Sequence, residues 1–188
     1  MILTGPEIER EWKAGRIDIR PFCPSQVSPN SYDFRLGQEL KVYRNYILDA
    51  KVPNETESIR MDDSGYTLLP GRIYLGHTEE MMGSDHYVPI IRGRSSTARL
   101  GLFIHVTADL IDVGSHNQWT LQMHAVQPVT VYPGMRIGQV TFWTIQGDIV
   151  LYNGKYQGSL GACESLVHLD FEEKVSARIR EDLDGVLR

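Results

Sequence analysis

Hydrophobic positions along the chain change their period twice. Thr4-Gly-Pro-Glu7 has the form of a capping box, Ile8 and Trp12 fall on one face, and Gly15 is a stop signal, so the chain is expected to open with a helix. From Ile17 the period shortens. Tyr32, Phe34 and Leu36 alternate with Ser31, Asp33 and Arg35, the pattern of a strand with one buried face. Strand-like runs follow at 39–44, 66–69, 72–76, 87–92, 103–107, 118–125, 128–132 and 136–143. Strands at this interval, without helices between them, predict a mainly β sandwich or barrel and not a parallel α/β sheet. Leu69-Pro-Gly-Arg-Ile73 and Tyr132-Pro-Gly-Met-Arg-Ile137 echo each other, which reads as one turn type used twice and not as internal duplication. Residues 45–65 are polar and aperiodic and read as a long surface excursion. Near the end, Asp170 and Glu173 form a second capping box, and Phe171, Val175, Ile179, Leu183 and Leu187 recur every four residues. Residues 166–188 are therefore expected to form an amphipathic helix that buries its stripe on its own sheet or on a neighbouring subunit.

Length and charge narrow the picture. A chain of 188 residues has the size of one domain, and 41% hydrophobic against 23% charged residues is enough to fold a core, which excludes intrinsic disorder. Nineteen basic and 24 acidic side chains give a net charge of −5, the wrong sign for holding polymeric nucleic acid through its phosphates. No apolar run has the length of a membrane span, and Met1-Ile2-Leu3-Thr4 does not resemble a leader, so a cytoplasmic protein with no membrane partner is expected. Cys23 and Cys163 stand far apart in sequence and read as inert packing groups of a reducing compartment.

The chemistry concentrates in Arg92-Gly-Arg94-Ser95-Ser96-Thr97-Ala98-Arg99, where an apolar run, Tyr87 to Ile91, gives way to a short helical turn. Serine hydroxyls and free N–H groups at a helix start accept phosphate oxygens, and arginine forks add charged hydrogen bonds. The bland alternative is that Ser95 caps the turn and the arginines pair with surplus acids. Downstream, Asp109 and Asp112 place two carboxylates near this segment, with Gly114 marking a tight turn. In the strand that follows, Trp119, Leu121, Met123 and Ala125 take one face and Thr120, Gln122 and His124 the other, a face polar enough to line a pocket.

These residues resemble a family. Gly93-Arg94-Ser95-Ser96-x-Ala98-Arg99-Leu100-Gly101-Leu102, His105-x-Thr107-Ala108-x-x-Ile111-Asp112-x-Gly114 and Pro133-Gly134-Met135-x-Ile137-Gly138-Gln139 are similar to landmarks of the dCTP deaminases and the bifunctional deaminase-dUTPases. The opening Met1-Ile2-Leu3-Thr4, Pro29-Asn30-Ser31-Tyr32-Asp33-Phe34-Arg35-Leu36-Gly37 and Tyr152-Asn-Gly-Lys155-Tyr156 match in the same order, so the resemblance spans most of residues 1–165. It implies a distorted jelly-roll or β-barrel of the dUTPase-like type, one domain over 1–188, working as a homotrimer with active sites between subunits. It implies that Arg94, Ser95, Ser96 and Arg99, with Gln139, hold a triphosphate carrying Mg²⁺. Ala108 to Asp112 would hold the deoxyribose and pyrimidine, and Tyr152, Lys155 and Tyr156 would close over the phosphates. The catalytic set carried over is Ser95, Arg99, Asp112 and position 122.

The chain departs from the family at that last position. Where the deaminases carry a glutamate that activates water stands Gln122, and an amide cannot accept the proton. Leu110 replaces an arginine of many monofunctional deaminases, Ala125 an asparagine and Ser159 a glutamine. Zinc is not expected in place of the missing base. His77-Thr78-Glu79 is a formal H-x-E, but no C-x-x-C accompanies it, so His77 reads as a strand-end surface residue. His105 reads as a packed, hydrogen-bonded histidine, and His116 and His124 as candidate substitute bases. Three functions remain: an enzyme that deaminates a pyrimidine deoxynucleoside triphosphate or cleaves its phosphate chain, a nucleotide-binding regulator that has lost the base, and a generic jelly-roll protein in which the arginine–serine cluster is accidental. Gln122 and Ala125 together leave room for a modified pyrimidine.

Overall fold

The computed structural model describes residues 1–105 and 107–172. Helix α1 (Gly5–Lys13) buries Ile8 and Glu11 and ends before Gly15. Its capping box does not form: Thr4 is the N-cap but its side chain makes no cap bond, and Glu7 pairs with Arg10 on the exposed face. Glu11 instead ties the helix down, accepting from both the Nε and Nη2 of Arg16 at 2.5 Å and from the Tyr87 hydroxyl at 2.7 Å.

Three antiparallel sheets follow. The largest orders β5 (Thr56–Arg60), β4 (Glu39–Tyr43), β7 (Tyr74–Gly83), β10 (Asn117–Ala125) and β9 (Leu102–Phe103), with β1 (Asp18–Arg20) also on β7. A four-stranded sheet orders β2 (Val27–Ser28), β3 (Ser31–Arg35), β12 (Arg136–Thr144) and β8 (Tyr87–Gly93). β6 (Tyr66–Leu68) and β11 (Val129–Val131) make the third. Tyr32, Phe34, Val140 and Phe142 of the four-stranded sheet and Leu40, Val42, Tyr74, Leu121 and Met123 of the larger one belong to one buried core cluster. Packing of two alternating faces against each other produces the expected mainly β, jelly-roll-like architecture. Both Pro-Gly turns form as anticipated, with Gly71 and Gly134 at φ of 79° and 73°, a region open to glycine.

Several elements differ from the sequence expectation. The excursion at 45–65 contains β5, whose half-exposed residues pair with β4 across a hairpin and so carry little hydrophobic signal. The run at 103–107 yields only Leu102–Phe103, because the chain leaves β10 to pair with β8, Ile91 N donating to Asp109 O at 2.8 Å. The run at 72–76 extends to Gly83, and His77 lies buried in mid-strand with Nδ1 on the Thr78 carbonyl, not at a surface end. In β3 the polar positions are buried too: Asp33 meets Arg94 and Arg136, and Arg35 binds Glu80, which is fully buried and also accepts from Gln26. The ordered 29–37 landmark is therefore an ion-paired seam. Residues 169–172 begin a helical turn, and the rest of the amphipathic stripe lies outside the described residues.

Candidate functional site

The outward face of the six-stranded sheet carries a cavity of about 550 Å³. Strand parity supplies part of its floor, and Asn117 and Trp119, beside a register shift between Gln118 and Thr120, line it as well. Along β10 the odd positions from Asn117 to Ala125 are buried while Gln118, Thr120, Gln122 and His124 are not, as their alternation requires. Gln122 pairs with Leu75 of β7, and Leu75 pairs with Lys41 of β4, so the three form one row on one face. Thr120, Gln122, Leu75 and Tyr43 line the cavity.

Two irregular segments wall it. The first, 105–112, is clipped to β8 by Ile111 N donating to Pro89 O at 3.0 Å and brings His105, Ala108 and Asp112 to the rim. Its turn requires Gly114: φ is 86°, and a Cβ there would stand 2.8 Å from the Leu151 Cβ. The second is the C-terminal segment. Gly161 N donates to Gln118 Oε1 at 2.8 Å, Cys163 N to Thr120 Oγ1 at 3.0 Å, Lys41 Nζ to Glu164 at 2.7 Å and Ser165 N to the Tyr43 hydroxyl at 3.1 Å. The segment thus crosses the sheet from β10 to β4. Tyr152, Tyr156, Ser159, Cys163 and Glu164 face the cavity from it.

The lining is electrostatically uneven. Among the described residues, four side chains carry a buried polar atom with no partner, and three of them line this cavity: His105 Nδ1, Trp119 Nε1 and Gln122 Oε1. Such atoms cost free energy unless something meets them. Burial pushes the His105 imidazole down against the opposing pull of the Ala108 carbonyl and Asp109, which favours the neutral ring. Burial pushes the Cys163 thiol up, and both cysteines are free. The hydrogen bond from Lys41 holds Glu164 below the usual carboxylate range.

The arginine–serine segment lies elsewhere. Helix α2 (Ser95–Ala98) follows β8; its cap position is Arg94, not Ser95, and its ladder starts with Ala98 N on Arg94 O, leaving the N–H groups of Ser95, Ser96 and Thr97 ahead of it. Ser95, Ser96 and Arg99 are exposed. Arg92 pairs with Asp109, and Arg94 Nε stands 3.1 Å from Asp33, a carboxyl pushed up by burial and drawn back by Arg94 and Arg136. Arg99 donates to the Ser95 carbonyl at 2.8 Å and has no acidic partner among the described residues. None of Arg94, Ser95, Ser96, Arg99 or Gln139 lines the cavity. Gln139 accepts from Ser31, and Lys155 pairs with Asp170 at 2.6 Å.

One chain therefore brings together Ala108, Asp112, Gln122, Tyr152 and Tyr156 and holds the anion cluster apart from them. His116 binds Asp85 and His124 lies near Phe103, and neither lines the cavity of its own chain. Ala125 is fully buried on the core face, so it does not widen the pocket beside Gln122. Glu164 and Cys163 were not legible as site residues. They fall in an aperiodic stretch, and only the crossing of the sheet gives them their position.

Antiparallel sheets around one core, with a largely apolar cavity that carries a few polar groups against the largest of them, define a mainly β protein of the jelly-roll-like class. The crystal structure of a 2′-deoxycytidine 5′-triphosphate deaminase from Agrobacterium tumefaciens shares this fold, with a TM-score of 0.61 at 22% identity over 75% of this chain and 47% of that one. The family model described as dCTP deaminase-like matches residues 2–145, and the chain belongs to that family. Similar proteins named "dCTP deaminase, dUMP-forming" come from Clostridium botulinum strain Eklund 17B, 47% identical over 92% of this chain and 100% of that protein, and from Leptospira biflexa serovar Patoc strain Patoc 1 / Ames, 42% identical over 93% and 100%.

Proposed function

We propose that the chain is an enzyme of pyrimidine deoxynucleotide metabolism that deaminates a cytosine deoxynucleoside triphosphate, dCTP foremost, to its uracil counterpart with release of ammonia. The observation that carries this reading is the set of unpartnered polar atoms on His105, Trp119 and Gln122, because a cavity of this size with unmet donors and acceptors suits a pyrimidine nucleoside. Gln122 Oε1 accepts from the exocyclic amine, while Ala108 and Asp112 take the deoxyribose side and Tyr152 and Tyr156 cover the opening. Arg94, Ser95, Ser96 and Arg99, with Gln139, hold the triphosphate and the Mg²⁺ it brings. Because they lie off the cavity of their own chain, the working unit is a homotrimer in which one copy's cluster completes its neighbour's cavity, and Lys155 closes over the phosphates. The relatives' names add a second product, dUMP, and the triphosphate is cut in the same site. The protein acts in the cytoplasm on a small molecule, with no polymeric nucleic acid as partner.

Gln122 itself favours a second reading, a regulator that binds the nucleotide without turnover. Purified protein incubated with Mg²⁺ and a panel of deoxynucleoside triphosphates separates the two when ammonia, pyrophosphate and calorimetric binding are followed together. Ammonia from dCTP supports the enzyme. Tight binding with no ammonia supports the regulator, and no binding removes the phosphate assignment.

A further inference from the structure

We propose that Glu164 is the proton-handling carboxylate of this cavity, supplying from the crossing segment what the amide at position 122 cannot supply from β10. The inference rests on the reading that a cytosine nucleotide occupies the cavity, and it assigns the general base of that reaction.

The described lining contains two carboxylates, Asp112 and Glu164. Asp112 sits in the 105–112 wall, on the turn closed by Ser115 N donating to its carbonyl at 3.1 Å. Glu164 sits on the opposite wall, beside the row that contains Gln122. Its backbone is fixed on both sides: Cys163 N is held by Thr120 of β10, and Ser165 N by Tyr43 of β4. Between those strands runs β7, whose Leu75 pairs with both Gln122 and Lys41. Neighbouring strands lie about 4.8 Å apart, so Lys41 and Gln122 are separated by roughly 10 Å of backbone, with Glu164 suspended over the gap. Lys41 Nζ, 2.7 Å away, orients the carboxylate and keeps it ionised, the state in which it can accept a proton.

The balance of the step is simple. Water loses a proton to Glu164 while its oxygen bonds to C4 of cytosine and the C4–N3 π pair moves to N3. Glu164 returns that proton to N3. The remaining hydroxyl proton then passes through Glu164 to the amino group, the C4–N bond breaks, ammonia leaves and the C4 carbonyl forms. Water is the sole co-reactant.

The test compares the parent protein with E164Q and with the double variant Q122E/E164Q, measuring ammonia release from dCTP and calorimetric binding of an α,β-imido analogue of dUTP, which has neither an amine to lose nor a cleavable α,β-phosphate bridge. General-base catalysis is worth about 10²–10⁴-fold, so E164Q is expected to lower kcat for ammonia release at least about 100-fold while the affinity for the analogue changes less than about three-fold. The double variant is expected to recover activity well above E164Q, which a packing role for Glu164 would not give. Ammonia release by E164Q within about three-fold of the parent overturns the assignment and leaves the deaminase reading standing. Analogue binding by the parent without any ammonia from dCTP overturns both.

Discussion

If sites form between copies, two inactive variants should repair each other. The perturbations are a cavity variant, Asp112→Ala, and a cluster variant, Ser95→Ala with Arg99→Ala. Asp112 lines the cavity, whereas Ser95 and Arg99 lie off it and exposed. In a cyclic trimer the contact is head-to-tail, so each site takes its cavity from one copy and its cluster from the next. When the two variants assemble at random in equal amounts, a site has an intact cavity with probability one half and an intact cluster with the same probability. About a quarter of the sites are then complete, and the mixture should show about 25% of parental activity per site. The assay is ammonia and pyrophosphate release by co-expressed, co-purified mixed trimers, with each variant alone as the baseline. Activity equal to the sum of the separate variants would refute the argument, because a site contained in one chain cannot be repaired by mixing.

Other expectations follow from individual side chains. Arg99→Ala should weaken triphosphate binding by at least about 1.5 kcal/mol, the low end for a charged hydrogen bond, when followed by calorimetry with the imido analogue. Gly114→Ala should lower the melting temperature and the nucleotide affinity together, since the backbone is at φ 86° and the new Cβ meets Leu151 at 2.8 Å. Glu11 is held down from 4.5 to about 2 by the Arg16 hydrogen bonds, assisted by Tyr87 and opposed by burial. Its contribution is complete above pH 4.5 and is lost as the pH falls towards 2; a shift of that size caps it near 3 kcal/mol, and the half-exposed Arg16 screens this to about 1–2 kcal/mol. Urea midpoints measured from pH 5 to pH 2.5 should fall less steeply for Glu11→Gln; parallel curves would remove the pair from the stability of α1.

What the sequence made legible was whatever repeats or turns. The alternation in 117–125 placed Gln122 on the face opposite Leu121, and burial along the strand follows it, although the register shifts between Gln118 and Thr120 and Trp119 lines the cavity together with Gln122. Pro-Gly marked both turns because only the backbone conformation mattered there. Periodicity failed where burial does not follow the period. Ser31 and Asp33 are buried alongside Tyr32 and Phe34, Asp33 against Arg94 and Arg136 and Ser31 against Gln139, and that was invisible without β12 in place. The capping box failed for a related reason, Glu7 having a nearer partner in Arg10.

The site shows the same limit in a sharper form. Arg94, Ser95, Ser96 and Arg99 stood out because they are contiguous, yet contiguity placed them on α2, off the cavity. Asp112, Gln122 and Glu164 are far apart in sequence and converge only because β10 pairs with β7, the 105–112 segment clips onto β8 and the 159–165 segment crosses over both. The substitution at position 122 therefore cannot be judged at position 122. An amide removes the base from one strand, but the row Lys41–Leu75–Gln122 lets a carboxylate anchored on β4 reach the same space. Whether the site lost its chemistry or moved it depends on Glu164, a residue with no pattern around it and two hydrogen-bonded neighbours holding it in place.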